Sequence, residues 1–339
     1  MSATRTSPST IVPLPDNIPS VQPGGGVCYR LELLWGRWRR WWLRTFRKRY
    51  VARMASLRHG STDGASHEIL DPRDLKFCRN LCTASWDASD DPFRHRGEHG
   101  FARWGLAELW LLGGGSLLVA VSLLVATWCC PTFRLWTAIG ASVFAILAAL
   151  FIWFFRDPDR TIPQAPGLIV SPADGKICEI THLENDPFIE GPAVRIGIFL
   201  SIFNVHLNRS PAQGRVLELR YHPGPFLNAL DPTSAWKNEN MWIGLEEPAA
   251  PYRRMIVRAI AGAYARRIVC ELRPGDRLER GQKTGMIKLG SRTELILPDV
   301  PELRILTKVG ERVRAGASSL AQFETCEPAS KSTPEAHSR

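Results

Sequence analysis

The sequence predicts a mostly β domain, α+β in class, preceded by a membrane-inserted helical hairpin. Three features of the 339 residues carry that prediction. Two long stretches lack any charge, the chain after Arg156 breaks into short apolar runs punctuated by Pro and Gly, and one eight-residue pattern recurs late in the chain. At 45% hydrophobic and 22% charged residues, the composition accommodates both a sizeable core and membrane segments.

The hairpin comes first. From Leu109 to Phe133 there are 25 residues without a charge, and from Leu135 to Phe155 another 21, with only Arg134 between them. About 20 apolar residues cover the roughly 30 Å hydrocarbon layer of a bilayer, whereas buried helices of soluble domains seldom run so long uncharged. A buried hairpin is the alternative. The link around Pro131 is too short for a domain, so both flanks lie on one side. Between Arg30 and Arg58 ten Lys and Arg residues face a single acid, Glu32, which assigns that side to the cytoplasm.

The same basic stretch interleaves Trp35, Trp38, Trp41, Trp42 and Phe46, a mixture suited to the headgroup layer of an anionic membrane. A net charge of +10 calls for an acidic partner. Nucleic acid rests on that charge alone, so anionic membrane lipid is the partner expected and nucleic acid is not. Residues 1–103 otherwise form a basic extension without a legible motif; Met54 stands as an alternative start, and much of the extension as dispensable. The first 25 residues lack the apolar core of a cleaved signal peptide. Eight cysteines (Cys28, Cys78, Cys82, Cys129, Cys130, Cys178, Cys270 and Cys326) show no disulfide or zinc spacing, so reduced thiols and no metal are expected.

After Arg156 the runs Gly167 to Val170, Ala193 to Leu200, Met255 to Ile260 and Glu294 to Leu297 read as strands. Pro-Gly-Asp-Arg-Leu-Glu-Arg-Gly at 274–281 recurs as Val-Gly-Glu-Arg-Val-Arg-Ala-Gly at 309–316. In each copy a Gly permits a turn, an acid follows, and an apolar residue two positions on points inward before a second Gly. Such hairpins resemble barrel-sandwich domains that carry lipoyl or biotinyl groups. Met286-Ile287-Lys288 and Asp174-Gly175-Lys176 are only approximations to the carrier lysine contexts, so the resemblance is one of fold. The organisation expected is an extension at 1–103, a two-helix anchor at 104–156 and a catalytic domain at 157–339.

The chemistry lies in motifs spread over that last domain. Gly285-Met-Ile-Lys-Leu-Gly-Ser-Arg-Thr-Glu-Leu-Ile-Leu-Pro298 sets Gly290-Ser291 between two strand-like runs. It resembles the processing site of the phosphatidylserine decarboxylase family, in the shorter branch cut at Gly-Ser. Phe154-Phe-Arg-Asp-Pro-Asp-Arg160 resembles the family's start of the catalytic domain. Ser171-Pro-Ala-Asp-Gly-Lys176 resembles the motif of its catalytic aspartate, and Phe203-Asn-Val-His-Leu-Asn-Arg-Ser-Pro211 that of its histidine. Tyr221–Asn228, Lys237–Asn240 and Ile260–Ile268 are also family-like, and the whole set covers about residues 104 to 322 in family order.

The resemblance implies that Ser291 attacks the Gly290 carbonyl, that the chain separates into subunits 1–290 and 291–339, and that Ser291 becomes a pyruvoyl group. That group, forming a Schiff base with the serine amine of phosphatidylserine, accepts the electrons released with CO2 and yields phosphatidylethanolamine. No metal or dissociable cofactor is implied. A serine hydroxyl needs a histidine to take its proton and a carboxylate to orient the imidazole, and His206 and Asp174 fill those parts. His206 is also the proton donor expected in turnover, and because Phe203 stands where the longer branch has a second histidine, that step falls to His206 alone or to a group that the motifs do not identify. Localisation follows: the cell membrane, with the catalytic domain on the cytoplasmic face.

Taken singly, each residue has an ordinary reading: Asp174 before Gly175 as a turn residue, His206 as a core histidine, Ser291 as a bend. Three other functions compete. They are an unprocessed membrane-tethered scaffold, a serine hydrolase, for which Gly-x-Ser-x-Gly is missing around Ser291, and a nucleic-acid binder. Within the leading function, an archaeal-type ether lipid with the same serine headgroup is an alternative substrate.

Overall fold

A computed structural model describes residues 6–15, 18–20, 26–227, 234–262, 267–288 and 291–324. Gly290 lies outside the described residues, as do Asn228 and residues 263–266 of the family-like segments. Beyond residue 166 the regular structure among the described residues is strand apart from one short helix at Ser234–Lys237: β1 (Leu168–Val170), β2 (Gly175–Asp186), β3 (Gly191–Leu200), β4 (Leu207–Arg209), β5 (Gly214–His222), β6 (Asn240–Glu246), β7 (Arg254–Ala261), β8 (Arg267–Cys270), β9 (Arg277–Leu278), β10 (Lys283–Lys288), β11 (Ser291–Pro298), β12 (Leu303–Ile305), β13 (Arg312–Val313) and β14 (Ser319–Phe323). Eight of them form one sheet in the order β13-β2-β3-β11-β7-β6-β5-β9, flanked by the three-stranded sheets β1-β14-β12 and β4-β10-β8. Every pairing is antiparallel, which short Pro- and Gly-punctuated runs favour.

The two hairpin repeats are real and extend further than the repeated octets. Gly275 and Gly310 have φ of +97° and +93°, Gly281 and Gly316 of +76° and +75°. At Gly281 and Gly316 glycine is also required sterically, because a Cβ would meet Ile162 at 2.6 and 2.8 Å respectively. Leu278 and Val313 are buried, as the pattern requires. Each copy pairs with a second duplicated segment, Ser171-Pro-Ala-Asp-Gly-Lys176 on one side and Ser210-Pro-Ala-Gln-Gly-Arg215 on the other. The two segments cross-link reciprocally, Val170 N–H donating to Pro211 O and Arg209 N–H to Pro172 O, both at 2.9 Å. Their following strands, β2 and β5, break register at equivalent places, between Ile177 and Glu179 and between Val216 and Glu218. This internal duplication brings two copies of one strand-and-turn unit together within the mostly β domain.

Strand β11 runs through the middle of the large sheet between β3 and β7. Its period-2 alternation sends Leu295 and Leu297 into the main core with Ile196, Ile198 and Val257. The opposite face of β11 carries Arg292 and Glu294, where Glu294 accepts from Arg258 and Arg292 while Arg292 and Arg195 both hold Glu179. Glu294 is fully buried, so its removal leaves Arg258 without a carboxylate partner among the described residues and Arg292 with Glu179 alone. Glu294→Ala is expected to cost about 3–5 kcal/mol. A chemical-denaturation midpoint in detergent checks this; an unchanged midpoint denies the network its structural role.

The apolar segments form two adjacent helical spans, Arg103–Cys129 and Pro131–Phe154, joined at Cys130. The sequence placed charge-free runs at 109–133 and 135–155; the helices agree with these, the first starting earlier through a turn around Trp104. Their mutual contact is made by small residues, with Gly113, Ser116, Ala120, Ala141 and Ala148 buried and Thr127 hydrogen-bonded to Thr137 at 2.9 Å. Outward they present large apolar side chains, Trp110, Leu118, Trp128, Leu135 and Trp136 among them.

The described extension is tied to the β domain. Val12 N–H donates to Leu217 O at 2.9 Å, Leu14 enters the main core, and Glu32 bridges Lys76 and the buried Arg267 of β8. A helix at Gly26–Phe46 turns Arg39 inward to Asp71 and Asp74 and leaves Leu34, Trp35, Trp38, Trp41 and Phe46 exposed.

Candidate active site

Ser291 opens β11, paired with Leu200 of β3 on one side and Ala261 of β7 on the other. It is wholly buried, and among the described residues its hydroxyl has no hydrogen-bond partner. A buried hydroxyl left unmatched costs about 1–3 kcal/mol, so such atoms mark places where chemistry outranks stability. Alternation puts Ser291 and Thr293 on the same, core-facing side of the strand.

That face meets the histidine segment. Asn208 of β4 donates to Thr293 Oγ1 at 3.1 Å, and Ile287 of β10 donates its N–H to the His206 carbonyl at 3.1 Å. His206 and Asn208 are two residues apart, as are Ser291 and Thr293, and Asn208 and Thr293 are the pair through which the two segments touch. The His206 ring is buried, its Nδ1 hydrogen-bonds the Asn204 carbonyl at 2.9 Å, and Phe154 packs on its face at 4.5 Å between centroids. Burial pushes the imidazole down to about 4, the Asn204 carbonyl opposing and the Arg156 cation assisting. His206 is therefore neutral at pH 7, the state a proton acceptor needs. With Nδ1 as the donor to Asn204, Nε2 is the basic nitrogen.

Asp174 is placed differently from the expectation. Its carboxylate is buried but accepts from Arg160 at 2.8 Å and from the Ala315 N–H at 2.7 Å, and it makes no hydrogen bond to His206. Among the described contacts of the imidazole is the Asn204 main-chain carbonyl. Asp174 stands at the duplicated position whose counterpart, Gln213, is exposed, so of the two differences between the copies, Asp174 for Gln213 and Lys176 for Arg215, the acid is the one that changes charge. Asp174→Asn is expected to lower stability by about 3 kcal/mol through Arg160, while slowing self-cleavage less than loss of His206. Denaturation midpoints and cleavage time courses separate the two; cleavage as slow as without His206 makes Asp174 the orienting acid after all.

The family model described as phosphatidylserine decarboxylase matches residues 147–321, a span that takes in Asp174, His206 and Ser291. The chain belongs to the phosphatidylserine decarboxylase family. A phosphatidylserine decarboxylase proenzyme of Rhodopirellula baltica is 48% identical over 250 residues, 74% of this chain and 99% of its own length. One from Symbiobacterium thermophilum is 42% identical over 216 residues (64% and 94%), and one from Salinibacter ruber 41% over 229 residues (67% and 93%).

Several contacts of this family member were not foreseen from sequence. Phe154, the last residue of the second apolar helix, stacks on His206, and Lys288, two residues before Gly290, pairs with Glu108 at the base of the first. The hairpin thus holds both flanks of the site. Asn204 and Arg160 both lie within family-like motifs, but their contacts, a carbonyl on His206 and a guanidinium on Asp174, were not assigned there. A cavity of about 290 Å³ opens beside Trp104, Asp157, Leu207 and Lys283, but neither Ser291 nor His206 lines it.

Proposed function

We propose that the chain is a membrane-bound phosphatidylserine decarboxylase that matures by cutting itself between Gly290 and Ser291. The observation that carries this is the buried Ser291 hydroxyl at the head of a central strand, without a hydrogen-bond partner among the described residues, on a strand that the segment of the buried, neutral His206 reaches through Asn208 and Thr293. The relatives, each a phosphatidylserine decarboxylase proenzyme by name, agree with a processed precursor and favour an enzyme over an unprocessed scaffold.

In maturation His206 takes the Ser291 hydroxyl proton, Oγ bonds to the Gly290 carbonyl carbon, and the peptide C–N bond breaks as the Ser291 nitrogen gains a proton. The product is an ester. Loss of the Ser291 α-proton and cleavage of Cβ–Oγ then release Gly290 as a carboxylate, ending subunit 1–290. The dehydroalanine left at 291 tautomerises to an imine, takes up water and loses ammonia, giving the pyruvoyl terminus of subunit 291–339. A buried hydroxyl without a hydrogen-bond partner among the described residues fits that conversion.

The pyruvoyl group supplies the electron sink for loss of CO2 from the serine headgroup. Ser291 and His206 are both fully buried, which keeps water from the reacting position. His206 is suited to return a proton, because an imidazolium with a pKa near 4 is a strong donor once formed. The outward apolar surface of the two spans supports insertion in the cell membrane, and the basic flank at 30–58 supports a cytoplasmic catalytic face. The exposed Leu34, Trp35, Trp38, Trp41 and Phe46 support contact with anionic lipid.

The test is turnover on vesicles containing phosphatidylserine, without added pyridoxal phosphate or metal. Phosphatidylethanolamine and CO2 are expected in equal amounts; cleaved protein that releases no CO2 contradicts the proposal. An ether-linked lipid with the same headgroup, run in parallel, decides between the two lipid backbones.

A further inference from the structure

We propose that Arg156 binds the phosphodiester of the lipid substrate. The inference rests on the membrane-bound decarboxylase reading above and adds to it the residue that recognises the headgroup.

Arg156 lies two residues beyond the end of the second apolar helix, where the chain leaves the level of the bilayer for the site. Its guanidinium is fixed rather than free to sweep. Nη1 donates to the Trp153 carbonyl at 2.6 Å, Nη2 to the Phe203 carbonyl at 2.9 Å, and Cζ sits 4.0 Å from the centre of the Trp153 ring. The Trp153 indole donates to the same Phe203 carbonyl at 3.1 Å, so helix end and Ser201–Asn204 loop are locked together. No carboxylate among the described residues pairs with Arg156, although Arg160, Arg195, Arg209, Arg215, Arg258, Arg267 and Arg292 each have one. Two carbonyl contacts leave further N–H groups of the fork for an anion.

The surroundings indicate which anion. Ile202 and Phe203 on the adjoining loop are 45% and 59% exposed, and Trp153 is 52% exposed, an apolar rim suited to acyl chains. Phe154, between Trp153 and Arg156, stacks on His206, so the fork stands beside the reacting centre. A serine phospholipid offers a phosphodiester and a carboxylate. A cation on the carboxylate stabilises charge that is lost as CO2 leaves, which raises the barrier; a cation on the phosphodiester holds the substrate through the whole reaction without that penalty. Arg in a fork geometry suits the two non-bridging phosphate oxygens.

The experiment uses the full-length, self-cleaved protein with short-chain phosphatidylserine below its micellar concentration. Arg156→Gln and Arg156→Lys are compared with wild type, each checked by mass for cleavage. For Arg156→Gln the KM for phosphatidylserine and the inhibition constant of short-chain phosphatidylethanolamine both rise by about tenfold to a hundredfold. kcat stays within about twofold, and Arg156→Lys recovers part of the loss, as expected of a point charge replacing a fork. A rise in KM without a rise in the phosphatidylethanolamine constant assigns Arg156 to the carboxylate and overturns the proposal. An effect seen on vesicles but not on monomeric lipid assigns it to bulk lipid phosphate and overturns it too, as does failure of both variants to cleave. Wild-type protein that cleaves but turns over no phosphatidylserine is a different failure, that of the decarboxylase reading itself.

Discussion

Replacing Ser291 with alanine leaves a single uncut chain, because no other described hydroxyl stands at the head of β11. The substitution removes an atom that has no hydrogen-bond partner among the described residues from a fully buried position, so it relieves a cost and opens almost no space. The variant is therefore expected to fold at least as stably as the precursor and yet to form neither subunit, even after prolonged incubation. Denaturing electrophoresis over days reads the result. Slow appearance of the same two fragments from Ser291→Ala indicates cleavage by some other agent and removes the basis for self-processing.

His206→Ala slows cleavage by about a hundredfold to ten-thousandfold, the usual worth of a positioned general base. Acidity supplies a second, independent signature. Burial holds the imidazole near 4 against an ordinary 6.5, so wild-type cleavage stays near its neutral rate down to about pH 5 and falls as pH passes through about 4. The same shift has a stability counterpart whose sign follows from proton counting. Between about 4 and 6.5 the unfolded chain binds more protons at this site than the folded one, so stability rises with pH across that window. Below about 4 both states are protonated and the contribution is flat. Measured in the uncut Ser291→Ala background, this slope is expected to diminish when His206 is also replaced by alanine. A rate that already halves near pH 6.5 places His206 in water rather than in the core.

What the sequence made legible, and what it hid, divides along the type of contact. Charge-free runs and the paired octets at 274–281 and 309–316 report on periodicity and turns, which the side-chain order itself encodes. The Gly281 and Gly316 conformations and the buried Leu278 and Val313 follow from it. A second signal was present and passed over: Ser210-Pro-Ala-Gln-Gly-Arg215 repeats the aspartate motif 171–176, and the comparison isolates Asp174 as the residue that changes charge. By contrast, the Asn204 carbonyl that contacts His206 is a main-chain atom, available at any residue, so no motif announces it. The same holds for Phe203, whose carbonyl receives Arg156 and Trp153 while its ring faces outward. The triad inferred from residue types placed an acid on the imidazole. The fold gives that acid to Arg160 and to the turn at Ala315, because position 174 follows the duplicated Ser-Pro-Ala segment rather than the histidine strand.

The most direct measurement is the exact mass and terminal chemistry of the fragment 291–339 from freshly purified wild-type protein. Self-processing through Ser291 predicts a fragment with no free amino terminus, carrying the mass of a pyruvoyl group in place of serine and reacting with a carbonyl reagent. A fragment that begins with an intact serine amine, or folded protein that remains a single chain, contradicts the account at its centre.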